Sequence, residues 1–147
     1  MPKYTLSEIQ KAKELAKELK LHGWELFCAQ PDETLQKYCN GIGAEWMPAA
    51  SRELLDKRFP VIKVAAMIHD IRFNFGDGTD EDFKEANDDL FENGWLLGCH
   101  YFPWHNPVRY LVWFDAKRLA RICNKLGRKA YNEAIAAHKL AEEAALS

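Results

Sequence analysis

Apolar residues return at helical spacing over most of the chain, and that period predicts a mainly α fold with little or no β structure. Leu6, Ile9, Ala12, Ala16 and Leu19 form one stripe, with lysines and glutamates on the other side. Thr5 and Glu8 have capping-box spacing ahead of it, and Gly23 is placed to close the segment. From Gly23 to Cys28 the pattern alternates briefly, and a loop containing Pro31 leads to Tyr38. A short helix is predicted over residues 49–57. Beyond Pro60, Val61, Ile62, Val64, Ala65, Ala66, Met67, Ile68, Ile71 and Phe73 are apolar on nearly every side, which marks a central helix. Gly76-Asp77-Gly78 ends it. Thr79 and Asp82 repeat the capping spacing, and Phe83, Ala86, Leu90 and Phe91 share one face of a helix expected to reach Gly94. The short connection lets these two helices lie antiparallel. An irregular aromatic stretch over residues 95–107 precedes helices predicted over 108–126, ended by Gly127, and over 128–145.

Composition narrows the classes. At 147 residues, 48% hydrophobic and 29% charged, the chain suits one domain, residues 1–147, and excludes global disorder. A chain of this size hides roughly 70% of its unfolded surface, so no staple is required. Lys and Arg number 20 against 22 Asp and Glu, which lacks the basic excess of a protein that neutralises many phosphates; no nucleic-acid partner is expected. No apolar run nears the ~20 residues that span a bilayer, so the chain is not expected to be transmembrane. Residues 1–20 alternate charged and apolar side chains, unlike a signal peptide, and a cytoplasmic setting is the expectation. Cys28, Cys39, Cys99 and Cys123 lie far apart without a CxxC pair and are expected to be free thiols. His100 and His105 flank the aromatic stretch at no standard zinc spacing and are expected to be surface or structural residues. A serine-hydrolase elbow, a phosphate loop and a dinucleotide fingerprint are all missing.

One place conflicts with core logic: His69-Asp70 in the middle of the most apolar helix. A buried carboxylate must take a proton, bind a cation or meet a donor. Adjacent helical positions point about 100° apart, so one side chain lines a slot while its neighbour reaches a loop. The plain structural reading makes His69 a satisfied core histidine and Asp70 a partner of Arg72 or Lys63. Upstream, Tyr38-Cys39-Asn40-Gly41-Ile42-Gly43 indicates a tight loop that aims carbonyls or amides at one point. Ca²⁺ takes oxygen ligands at about 2.3–2.6 Å and often mixes carboxylate with backbone carbonyls. Asp70 with the carbonyls around Asn40, Gly41 and Gly43 is such a donor set.

The glycine loop with the following Pro48, then Ala66-Met67-Ile68-His69-Asp70 with an aromatic at Phe73, resembles the phospholipase A2 family. The likeness is to reduced members carried by phages, bacteria and some viral capsids. Its continuation here is Gly76-Asp77-Gly78-Thr79, Asp82 and Ala86-Asn87-Asp88, and residues 116–131 look more loosely like the tail of the phage-associated sequences. It covers residues 38–91. The resemblance implies an antiparallel helix pair with extra terminal helices, and Ca²⁺-dependent hydrolysis of a phospholipid acyl ester at a lipid interface. His69 would be the neutral general base and Asp70 with Asn40, Gly41 and Gly43 the calcium ligands. In the family an Asp on the antiparallel helix orients the histidine, assisted by a tyrosine. Here Phe73 stands where tyrosine is usual. The inward polar position beside Phe83, Ala86 and Leu90 is Asn87, with Asp88 about 100° further round; either is a candidate to orient His69.

Two other readings fit the same residues. One is a non-catalytic phospholipase-like scaffold or phage accessory protein, whose aromatic stretch would be a docking surface. The other is an HD-type metal phosphohydrolase, for which His22 is the upstream histidine available. Cys39, beside the glycine loop, also invites comparison with a nucleophile.

Overall fold

The computed structural model describes residues 3–39 and 49–147, with the backbone alone over 49–59. Among them run seven helices and no strand: α1 (Leu6–Leu19), α2 (Trp24–Ala29), α3 (Asp32–Tyr38), α4 (Ala49–Asn74), α5 (Asp80–Tyr101), α6 (Val108–Leu126) and α7 (Arg128–Leu146). The fold is mainly α.

Local chemistry sets several ends. The Glu8 amide donates to Thr5 Oγ1 at 3.1 Å while Glu8 Oε1 accepts from the Thr5 amide at 3.4 Å, a complete capping box for α1. Thr79 caps α5 in the same sense, its hydroxyl accepting from the Asp82 amide at 3.1 Å. Between them Gly78 takes φ +85°, a conformation that glycine adopts without strain.

Other boundaries differ from the periodicity. Lys20, at φ 49°, closes α1; Gly23, at φ 86°, instead opens α2, where an added Cβ would meet Ile68 Cγ2 at 3.0 Å. The alternating stretch and the Pro31 loop contain the short helices α2 and α3. The predicted break at Pro60 is also corrected: α4 is continuous over Ala49–Asn74 with Pro60 inside it. An internal proline costs about 3 kcal/mol. Burial of Ile62, Val64, Ala65, Ala66, Met67, Ile68 and Ile71 just beyond it offsets that cost.

Gly94 does not end α5. An added Cβ there would lie 2.7 Å from Ala116 Cβ, and one at Gly98 would lie 3.0 Å from Val112 Cγ1. The two glycines, one turn apart, let α6 approach α5 closely, so the helix continues and the irregular aromatic stretch shrinks to 102–107.

Helices α4 and α5 run antiparallel. The contacts His69 with Asn87 and Arg72 with Asp89 and Asp82 lie on either side of the turn at 75–79. Ile9, Ala16, Phe27 and Leu35 of the N-terminal helices close one side of α4, while Leu90, Leu97, Val112, Leu119 and Cys123 close the other. A second apolar cluster, Phe73, Phe83, Ala86, Tyr131 and Ile135, packs α7 under the α4–α5 turn.

The close approach at Gly94 is testable. Gly94→Val should lower stability by about 1–3 kcal/mol through overpacking. Urea unfolding of the single variant and of Gly94→Val/Ala116→Gly should reveal favourable coupling between the two positions, because removing the opposed methyl relieves the clash.

Candidate functional site

His69 sits on α4, 8% exposed, with Ile68 and Ile71 beside it in the core. Its ring stacks on Phe73, the centroids 4.2 Å apart and the planes tilted by 45°. Nε2 meets Asn87 Oδ1 at 2.7 Å, and the Asn87 amide donates to Asn124 Oδ1 of α6 at 2.8 Å. With the carboxamide in that orientation Nε2 carries the proton and Nδ1 is the acceptor. The result is a polar chain of three side chains from three helices, ending at the exposed Asn124.

Burial pushes the His69 pKa down to about 4; the Asn87 hydrogen bond opposes that fall and the positive charge of Arg72 adds to it. The imidazole is therefore neutral at pH 7. Asn87, fully buried, holds the position facing His69, whereas Asp88 is exposed on the outer side of α5. Thus the geometry brings together His69 and Asn87 and does not bring in Asp88.

The half-buried carboxylates of α5, Asp82 and Asp89, pair with Arg72, and the exposed Glu85 approaches it from the rim. Its guanidinium lies 2.5 Å from Asp89, 3.5 Å from Asp82 and 3.9 Å from Glu85. Asp82 also accepts a hydrogen bond from Tyr131 at 2.6 Å, and the Gly78 amide donates to the same phenol oxygen at 2.9 Å. Burial and the Asp82 carboxylate raise the Tyr131 pKa to about 12. Tyr131 packs on Phe73 at 5.2 Å, but its hydroxyl is engaged at the α4–α5 turn.

Asp70 is half-buried one position on. Its charge reaches Tyr4, Cys39 and Cys123, whose pKa values are raised first by burial and then by this carboxylate, Cys123 to about 12. Cys39 and Cys123 are therefore protonated at neutral pH, which removes the thiolate that a Cys39 nucleophile needs. All four cysteines are free thiols. Cys39 Sγ meets the Met67 carbonyl at 3.6 Å, so Cys39 rests against α4 about one turn before Asp70. Asn40, Gly41 and Gly43 lie outside the described residues.

His22 does not join His69 and Asp70. Its Nε2 meets Glu92 Oε2 at 2.8 Å, and its backbone is held by Asn93. His100 and His105 are exposed, with rings against Tyr101 and Trp104. Sequence periodicity singled out neither Asn124 nor Arg72 as a member of the polar interface, since each meets α5 only through tertiary packing.

No helix among the described residues is long and apolar enough to cross a membrane. No protein-family model, curated protein or solved structure matches the chain.

The low His69 pKa has a stability consequence with a definite sign. The unfolded chain takes up the proton near pH 6.5, whereas the folded chain resists until about pH 4, so acid favours unfolding between those values. Above pH 6.5 the effect vanishes. Urea unfolding should show this histidine costing about 1 kcal/mol of stability between pH 7.5 and 5.5, and the slope should flatten by that amount in His69→Gln.

Proposed function

We propose that this chain is a phospholipase A2-like hydrolase that cleaves an acyl ester of a glycerophospholipid with Ca²⁺. The observation that carries the reading is the buried, neutral His69, tied through Nε2 to a side chain of the antiparallel helix. That bond leaves Nδ1 as the basic atom for a water. A water attacking an ester carbonyl would give its proton to Nδ1, while Asn87 fixes the ring's tautomer and tilt.

The donor chemistry is compatible with the ion. Asp70 supplies a hard carboxylate, and Cys39, which precedes Asn40 in sequence, meets the Met67 carbonyl of the same helix. Asp70 with Asn40, Gly41 and Gly43 would hold Ca²⁺, an oxygen set of the kind this cation prefers. Bound there, Ca²⁺ would act as a Lewis acid toward the ester carbonyl. The partner would be a lipid interface. Trp104, Tyr110, Leu111 and Phe114 are exposed at 74%, 51%, 46% and 63%, and Arg118, Arg121 and Lys125 follow on the outer side of α6. Aromatic and basic side chains in that order suit an anionic lipid surface.

One observation favours a second reading, a non-catalytic scaffold of the same design. Asn87 orients His69 without charge, so the imidazolium formed by proton transfer would lack a carboxylate partner. Asn87→Asp supplies one and separates the readings.

Acyl-ester release from mixed micelles, in Ca²⁺ or EGTA, checks both. A hydrolase requires release that EGTA abolishes and that falls by about 10²–10⁴-fold in His69→Gln. Asp70→Asn should raise the Ca²⁺ requirement. Asn87→Asp should increase the rate. Release that ignores Ca²⁺ or the His69 substitution removes the hydrolase reading, and a folded wild type without release, beside an active Asn87→Asp, establishes the scaffold.

A further inference from the structure

We propose that His22, Asp89 and Glu92 form a surface site for a borderline divalent metal ion of the Zn²⁺ type. It is separate from the His69 site and does not rest on the hydrolase reading. One ligand atom from each residue lies within 4.8 Å of the other two, and His22 Nε2 and Glu92 Oε2 are 2.8 Å apart. Zn²⁺ binds imidazole and carboxylate at about 2.0–2.2 Å, so tetrahedral ligands stand roughly 3.4 Å apart. The three groups bracket that spacing, and two have exposed side chains free to adjust, His22 at 47% and Glu92 at 54%.

The backbone and the neighbouring side chains prepare the site. Asp89 and Glu92 are three apart on α5 and share a face. His22 arrives from the α1–α2 turn, which Gly23 shapes with its positive φ. Asn93, 1% exposed, fixes that turn by accepting from the His22 amide at 2.7 Å and donating to the His22 carbonyl at 2.9 Å. Those bonds use only backbone atoms of His22 and leave its imidazole to face Glu92. Arg72 holds Asp89 Oδ2, which orients the carboxylate as an outer hydrogen-bond partner does for a metal ligand.

The donor set selects the ion class. An imidazole with two carboxylates suits Zn²⁺ and its neighbours, whereas Ca²⁺ and Mg²⁺ prefer all-oxygen sets. Three protein ligands leave a fourth position for water. An ion here would tie the α1–α2 turn to α5, two segments about 70 residues apart in sequence.

Isothermal titration of the untagged full chain with Zn²⁺ tests this directly. One ion per chain is expected, with Zn²⁺ at 100 times its dissociation constant raising the thermal midpoint by about 5–10 °C. His22→Ala and Glu92→Gln should each weaken binding by at least tenfold, and Ca²⁺ should not compete. The Asn93 clamp survives in His22→Ala, and circular dichroism checks that both variants fold. Absence of saturable Zn²⁺ binding to the wild type, or binding unchanged in both variants and so due to other histidines or thiols, would overturn the proposal.

Discussion

The hydrogen bond between His69 and Asn87 crosses the buried, mainly hydrocarbon part of the α4–α5 interface, and the register of the two helices depends on it. Each partner is buried, and a buried polar group without its partner costs about 1–3 kcal/mol. Sliding α5 by one turn would orphan both at once, since Phe83 or Phe91 would then stand in the place of Asn87. Apolar packing tolerates many registers at similar area; a buried pair of polar side chains tolerates far fewer. On the other side of α5, Gly94 and Gly98 stand opposite Ala116 and Val112, so α6 seats closely enough for Asn124 to reach Asn87.

A second polar device works at the turn between the paired helices. Tyr131 fills the apolar cluster below it and accepts from the Gly78 amide while donating to Asp82. Arg128 adds a bond to the Gly78 carbonyl at 3.0 Å and an ion pair to Asp80. The start of α7 thereby fixes the loop that fixes the pair. Gly76 leaves the room this requires, since an added Cβ would fall 2.6 Å from the Tyr131 ring.

What the sequence disclosed follows from the range of the interactions. Thr5–Glu8 and Thr79–Asp82 are local, so their caps were readable from four residues each. The apolar run after Pro60 was readable as the central helix, and His69 stood out because it violated that run. Gly94 misled because a glycine inside a helix and one at its end look alike until the neighbouring helix is known. Pro60 misled for a similar reason: tertiary burial outweighed a local penalty. The Asn87 or Asp88 alternative turned on rotation about α5, and side-chain periodicity favoured Asn87 without excluding the longer reach. Asn124, and the meeting of His22 with Asp89 and Glu92, depend on segments distant in sequence and left no local signature.

The charges around His69 constrain every function assigned to it. Asp82, Glu85 and Asp89 lie on the paired helix, yet all are directed at Arg72, whose positive charge itself disfavours an imidazolium one turn away. The interface thus spends its carboxylates on the arginine and leaves the histidine an uncharged partner. A base with so low a pKa is neutral and available across the whole physiological range, but it holds a proton weakly. Proton transfer to it becomes favourable only as the water's oxygen bonds to a strongly polarised carbonyl, and polarising that carbonyl is the service a cation beside Asp70 would perform. A neutral, weak, well-oriented base and an electrophile are therefore complementary requirements: for the His69 site to turn over an ester, its strength must come from the Asp70 side.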